Sequence, residues 1–273
     1  MILRGALQLV PRRSWRWISP DCANQHRYFS SRPPFYGIPR PPKAKRLSEM
    51  SFTERAVIAI HSATTALADP KRADAVATLG EVTGTVALIA LRHKMQQHAT
   101  GQRILLEKPI VDGSALENGN NKDTFGYAYT SFMQHHGFNP EERDQVKYID
   151  DSELAYIMLR YRQIHDFSHV LCNLPPTVLG ELALKWLELF QTGLPVAALS
   201  ATVGVLQLNE KERQILHNIY LPWAIRASGK AECLLNVYFE EEFNTPLEEL
   251  RSRIGLEPAP QVDGISITTA KDR

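Results

Sequence analysis

Two imidazoles and a carboxylate occur within five residues of one another in His165-Asp166-Phe167-Ser168-His169, and Glu181 follows after eleven intervening residues. With His165 at zero on a helical wheel, Asp166 falls about 100° round and His169 about 40° round, so all three share one arc. Pro175-Pro176 must turn the chain. A returning antiparallel helix would carry Glu181 to the height of His169. Such a set suits Zn²⁺, with Fe²⁺ or Mn²⁺ as alternatives. Two carboxylates offset the dication and imidazole supplies borderline-soft nitrogen. A closed four-ligand site is usually structural, whereas a catalytic one keeps a position open. We therefore expect His165, His169 and Glu181 to bind directly, with Asp166 orienting them. The plainer alternative is a solvated polar stripe. Arg160 and Arg162 could steer an anionic substrate toward the metal, or simply form helix ion pairs. Cys172, three residues after His169, suits a small buried residue better than a ligand. His135 and His136 read as surface or loop groups.

Helical periodicity supplies the elements that must hold these groups. Apolar residues recur at three- and four-residue steps from Met50 to Ala68, and Asp69-Pro70 ends that run. Further helices are expected at 72–81, 85–98, and from Phe125 to His136-Gly137. Residues 112–124 read as a loop. Asn139-Pro140-Glu141-Glu142 reads as a turn into a short helix. Asp151 or Ser152 should cap one long helix reaching Cys172, with Leu154, Ile157, Tyr161 and Ile164 on its buried stripe. The next helix can begin on Pro175-Pro176 and stop at Gly193. Others are expected at 195–207, 210–227, 229–239 and 245–254. Gly80 and Gly84 could allow close helix contact. The apolar stretch Pro195 to Leu206 could line a lipid cavity or be a core helix. The fold class is all-α, a single compact helical domain over residues 47–256. Residues 257–273 lack periodicity and read as a flexible tail.

Overall charge is near neutral, with 31 basic and 30 acidic groups, which argues against a nucleic-acid partner. The average hides a division. Residues 1–46 hold ten Lys/Arg and one acid, Asp21, leaving 21 bases against 29 acids in the remainder. Residues 1–29 are Arg-rich, acid-poor and studded with apolar residues, the composition of a mitochondrial transit peptide. Cleavage is expected near Phe29/Ser30. Residues 30–46 form a proline-rich basic linker that could meet anionic lipid headgroups. Three scattered cysteines and no C-x-x-C pair exclude a disulfide framework. A hydrophobic content of 44% is enough for a packed core. No uncharged apolar run reaches the length of a membrane span.

The string from Tyr161 to His169, with Glu181 beyond it, resembles the His-Asp-x-x-His-x₁₁-Glu signature of the ubiquinone (coenzyme Q) biosynthesis protein four family. Gly126-Tyr127-Ala128-Tyr129, Arg143, Tyr148-Ile149-Asp150, Leu221-Pro222-Trp223-Ala224 and Leu247-Glu248-Glu249-Leu250-Arg251 also resemble family segments, in order from about Leu47 to Leu256. The resemblance implies an all-helical protein, peripheral to the matrix face of the mitochondrial inner membrane. It also implies a homo-oligomer that joins other enzymes of a multi-subunit ubiquinone-biosynthetic complex. The activity implied is removal of the C1 carboxylate from a 4-hydroxy-3-methoxy-5-polyprenylbenzoate intermediate, with or without coupled hydroxylation. Glu181 or Asp166 could then move a proton. Two other readings stand beside it. One is a non-catalytic scaffold that binds a polyprenyl lipid and uses metal only structurally. The other is a metal phosphohydrolase, which would need a further histidine and aspartate whose placement is not apparent.

Overall fold

The computed structural model describes residues 45–68, 72–111, 121–139 and 145–262. Among these residues the fold is helical and no strand forms; a lone bridge pairs Thr124 with Pro246. The transit peptide, the linker up to residue 44, the loop at 112–120, the short helix expected after Asn139 and the tail from 263 lie outside the described residues.

The first element among the described residues is a 3₁₀ turn, Leu47–Glu49, pinned by Leu47 N–H donating to the Tyr148 carbonyl at 2.9 Å. Helices α1 (Phe52–Ala68), α2 (Ala73–Thr83) and α3 (Thr85–Gln96) follow the expected periodicity. A fourth, α4 (Ala99–Glu107), was not read from the pattern. Helix α5 (Phe125–His136) is capped by Thr124 and closed by Gly137 at φ +66°, the left-handed conformation glycine adopts without a Cβ penalty.

The expected single helix from Ser152 to Cys172 is two helices. α6 (Ser152–Gln163) is capped by Asp151, which accepts from the Glu153 and Leu154 N–H groups. The chain makes a turn at Ile164 (φ −84°, ψ −1°), still right-handed but with ψ opened from the helical value, and α7 (His165–Cys172) begins. Ser168 Oγ donates back to the Ile164 carbonyl at 2.9 Å, the kind of bond that bends helices. Asn173, left-handed at φ +54°, ends α7. Pro175 and Pro176 lie in the connection, and Thr177 caps α8 (Val178–Thr192) instead. Gly180 could not be another residue here, because a Cβ would stand 2.0 Å from the Pro175 carbonyl.

Helix α9 (Pro195–Val203) packs on α8 and α2. Val196 fills the space over Gly80, 3.3 Å from where a Cβ would be, so that glycine does serve close helix contact. Helix α10 (Glu210–Ile215) passes through a π turn (Leu216–Tyr220) into α11 (Leu221–Lys230). The helix expected at 229–239 is absent; two 3₁₀ turns, Leu234–Asn236 and Phe239–Glu241, stand there. Their apolar side chains are core, and the Leu235 and Val237 carbonyls are taken by Arg160 rather than by a helix ladder. Helix α12 is Leu247–Arg253. Beyond it the chain stays packed to residue 262: Trp223 donates to the Glu257 carbonyl, and Ala259, 4% exposed, donates to the Cys172 carbonyl. Residues 257–262 are thus held where a flexible tail is expected, the Glu257 carbonyl by α11 and the Ala259 N–H by the end of α7.

Candidate metal centre

Helix α7 is only two turns long, so its orientation comes from burial rather than from its own ladder. Phe167, fully buried, anchors the face away from the histidines. Its ring meets Tyr129 at 4.5 Å, Phe239 at 5.0 Å and Phe125 at 5.3 Å between centroids. Burying a phenylalanine this completely stabilises by roughly 2–3 kcal/mol, and edge-to-face contact fixes the ring's azimuth. With Phe167 held, His165 and His169 must face α8.

There they meet Glu181. His165 Nε2 lies 3.2 Å from one carboxylate oxygen and His169 Nε2 lies 3.0 Å from the other. The ligand atoms of His165, His169 and Glu181 all fall within 4.8 Å of one another. Bonds of about 2.0–2.2 Å at tetrahedral angles set donor atoms roughly 3.3–3.5 Å apart, so this set fits a zinc-sized ion with small movements. Each imidazole is held from behind. His169 Nδ1 meets the Leu174 carbonyl at 3.1 Å, and its ring stacks on Phe132 at 5.7 Å. His165 Nδ1 meets Glu188 Oε1 at 2.7 Å. A carbonyl and a carboxylate only accept, so both Nδ1 atoms donate there, and each Nε2 faces the Glu181 carboxylate, where it donates a proton that a metal ion would replace.

Asp166, 5% exposed, lies in the same first turn but is not one of the three groups whose ligand atoms converge. Desolvation works against charge on Glu181, yet the two imidazoles hold its carboxyl well below the usual range. Glu188 is likewise desolvated, but Lys185 and His165 bring it down to about 2. Its second oxygen accepts from Tyr161 Oη at 2.6 Å and Lys185 Nζ at 2.7 Å. Neither Glu188 nor Lys185 was picked out from sequence. The available signal was spacing: Glu181, Lys185 and Glu188 recur at four- and three-residue steps on one face of α8.

Both arginines are engaged away from this site. Arg160 is fully buried and spends its guanidinium on the Leu235 and Val237 carbonyls and on Glu240. Arg162 bonds the Ala77 carbonyl and Glu81, at 2.9 and 2.8 Å. Both lie on α6, across the Ile164 break from the histidines, which removes the continuous helical face the expectation needed. Cys172 is buried and free, burial pushes its thiol up, and it is outside the convergent set.

A cavity of about 440 Å³ opens beside His169. Phe132 and His136 from α5, Leu179 from α8, and Leu247 and Arg251 from α12 line it, with Gln261 closing one side. His136 is thus a cavity group rather than a surface or loop one, and burial together with its His135 and His169 neighbours pushes its pKa down. The stretch from Pro195 to Leu206 contributes nothing to this wall. Val196, Ala197 and Ala201 are core residues.

Fold and site together define an all-helical protein with a His-His-Glu donor set beside a cavity. The chain belongs to the coenzyme Q (ubiquinone) biosynthesis protein Coq4 family, whose profile matches residues 45–260. It is 40% identical over 220 residues to the ubiquinone biosynthesis protein COQ4 homolog, mitochondrial, of Bos taurus, covering 79% of this chain and 83% of that one. Identity to the Nematostella vectensis homolog is 42% over 206 residues, covering 73% and 99%. The Laccaria bicolor protein is 40% identical over 216 residues, covering 78% and 73%. All three are named mitochondrial. A crystal structure from Nostoc punctiforme shares the fold at a TM-score of 0.60 and 15% identity, over 76% of this chain and 99% of that one. The chain's role is in ubiquinone biosynthesis. Among the described residues, no single helix is long and apolar enough to cross a membrane.

Proposed function

We propose that the chain removes the C1 carboxylate from a 4-hydroxy-3-methoxy-5-polyprenylbenzoate, using a divalent metal held by His165, His169 and Glu181. Zn²⁺ suits this donor set, with Fe²⁺ or Mn²⁺ as alternatives. The observation that carries the reading is the convergence of the three ligand atoms within 4.8 Å, with His169 forming part of the wall of the 440 Å³ cavity. A Lewis acid there would hold the carboxylate and draw charge from the ring.

The protein's own groups do the rest. Phe132, Leu179 and Leu247 clasp an aromatic ring and keep water from it. As CO₂ departs, the C–C bonding pair stays on C1, and one proton must arrive there. Asp166, outside the convergent set, is the carboxyl group assigned to carry it; Glu181 would serve only when released from the metal. The polyprenyl tail runs out of the cavity toward the matrix face of the inner membrane, where the chain sits peripherally and joins the other ubiquinone-making enzymes.

The test is release of label from carboxyl-labelled substrate by the purified chain, against a folded His169→Ala variant. The proposal expects release by the wild type alone. Equal release by both would overturn it. A second reading is a non-catalytic lipid-binding scaffold with a structural metal. It is favoured by the way Glu181 satisfies both imidazoles at once, a latch that joins α7 to α8. Metal bound at one per chain with no label released would select it.

A further inference from the structure

Glu188 is a carboxylate on the far side of His165 from the proposed metal position, and it is itself held by other side chains. It is 6% exposed, and three donors converge on it. Tyr161 Oη at 2.6 Å and Lys185 Nζ at 2.7 Å take one oxygen, leaving the other for His165 Nδ1 at 2.7 Å. Lys185 Nζ also lies 3.4 Å from His165 Nδ1. An ammonium only donates, so it would favour the tautomer that turns the lone pair backward. The carboxylate bond is shorter by 0.7 Å (2.7 against 3.4 Å) and decides the matter the other way. Lys185 is instead drawn onto Glu188, and Tyr161 fixes the carboxylate from α6.

We infer that Glu188, braced by Lys185 and Tyr161, is a positioning residue that holds His165 with Nε2 presented to the metal. A carboxylate behind a ligating imidazole sets its tautomer and ring orientation and raises its basicity, and removing such a partner typically weakens metal binding about 10–100-fold. His169 gets only a neutral carbonyl from Leu174 in the same place. His165 is therefore the more strongly donating of the two imidazoles. The sequence-level counterpart is the seven-residue step from Glu181 to Glu188, which puts ligand and brace on one face of α8 two turns apart.

This inference rests on the metal-site reading, and its test uses full-length chain stripped of metal, with Zn²⁺ affinity measured by competition against a chelator of known strength. Co²⁺ substitution reports the ligand field in parallel. Glu188→Gln is expected to bind Zn²⁺ about 10–100-fold more weakly and to shift the Co²⁺ visible bands. That variant leaves the Lys185 ammonium without its carboxylate and could misfold, so Lys185→Met/Glu188→Gln is measured beside it. Uncharged and of similar volume, this pair should fold and still bind weakly. Either folded variant binding Zn²⁺ as tightly as wild type, with an unchanged Co²⁺ spectrum, would overturn the inference and leave the metal site standing. Wild-type chain that binds neither ion would overturn both.

Discussion

Replacing Arg160 with methionine separates a structural arginine from a steering one. Its side chain is fully buried. It donates to the Val237 carbonyl at 2.7 Å, the Leu235 carbonyl at 3.4 Å and the Glu240 carboxylate at 2.9 and 3.3 Å. Methionine refills much of the volume but restores no donor. Breaking a buried ion pair by removing one partner costs about 3–5 kcal/mol. Each orphaned carbonyl adds desolvation of roughly 1–3 kcal/mol, part of which is already counted in that figure. Glu240 keeps 17% exposure, so water recovers some of its solvation and the low end applies. We expect a loss of about 3 kcal/mol. That is roughly 1–1.5 M off the urea midpoint for a slope of about 2–3 kcal/mol/M. Unfolding followed by far-ultraviolet circular dichroism and tryptophan fluorescence measures the midpoint; Trp223 is fully buried. Substrate KM, measured where the variant is still folded, should stay within about twofold. A midpoint within error of wild type, together with a tenfold rise in KM, would refute the structural role and restore the steering one.

Asp151→Ala should lower stability by about 1 kcal/mol through loss of the α6 cap. Desolvation works against charge on Asp151, but the Leu154 and Glu153 N–H groups and Arg92 hold its folded pKa below the unfolded one. Its contribution is therefore present above the ordinary aspartate range and lost as pH falls. The variant's stability against pH should be flatter on that acid limb, as read by urea midpoints. Zn²⁺ at a hundredfold over its Kd should stabilise the chain by about 2.7 kcal/mol, roughly 5–10 °C in Tm. The shift, followed by differential scanning fluorimetry, should vanish with chelator and in His169→Ala. Ala128→Phe, on the cavity wall, should leave metal content unchanged and cut label release at least tenfold.

Where local pattern and burial agreed, the sequence was a sufficient guide. Asp151, Gly137 and Gly193 punctuate helices where side-chain chemistry says they should. His165, His169 and Glu181 meet because α7 and α8 each put their residues on one face across a short connection. The break at Ile164 was not legible, since every residue from Tyr161 to Ser168 is compatible with a continuous helix. It depends on a back-bond from Ser168 and on Phe167 seeking an aromatic cluster drawn from α5 and from 239–243. The helix expected at 229–239 failed for a similar reason. Its carbonyls bond an arginine about 75 residues earlier in the chain, a long-range competitor that periodicity does not reveal. Spacing alone does not separate Glu188 and Lys185 from an ordinary charged helix face; their bonds to Tyr161 and His165, about 20–27 residues earlier, do. The cavity joins α5, α7, α8 and α12 with residues 261–262, so no single segment announces it.

The most direct test of the metal-dependent activity is a back-titration. Full-length chain is stripped of metal, Zn²⁺ is restored in steps, and bound metal and label release from carboxyl-labelled 4-hydroxy-3-methoxy-5-polyprenylbenzoate are measured on the same samples. Fe²⁺ under anaerobic conditions and Mn²⁺ are run in parallel series. Turnover should be absent from the stripped chain and rise in proportion to occupancy, saturating at one ion per chain, for at least one of the metals. Undiminished label release by the stripped chain, with no bound metal detected, would contradict metal-dependent decarboxylation at His165, His169 and Glu181.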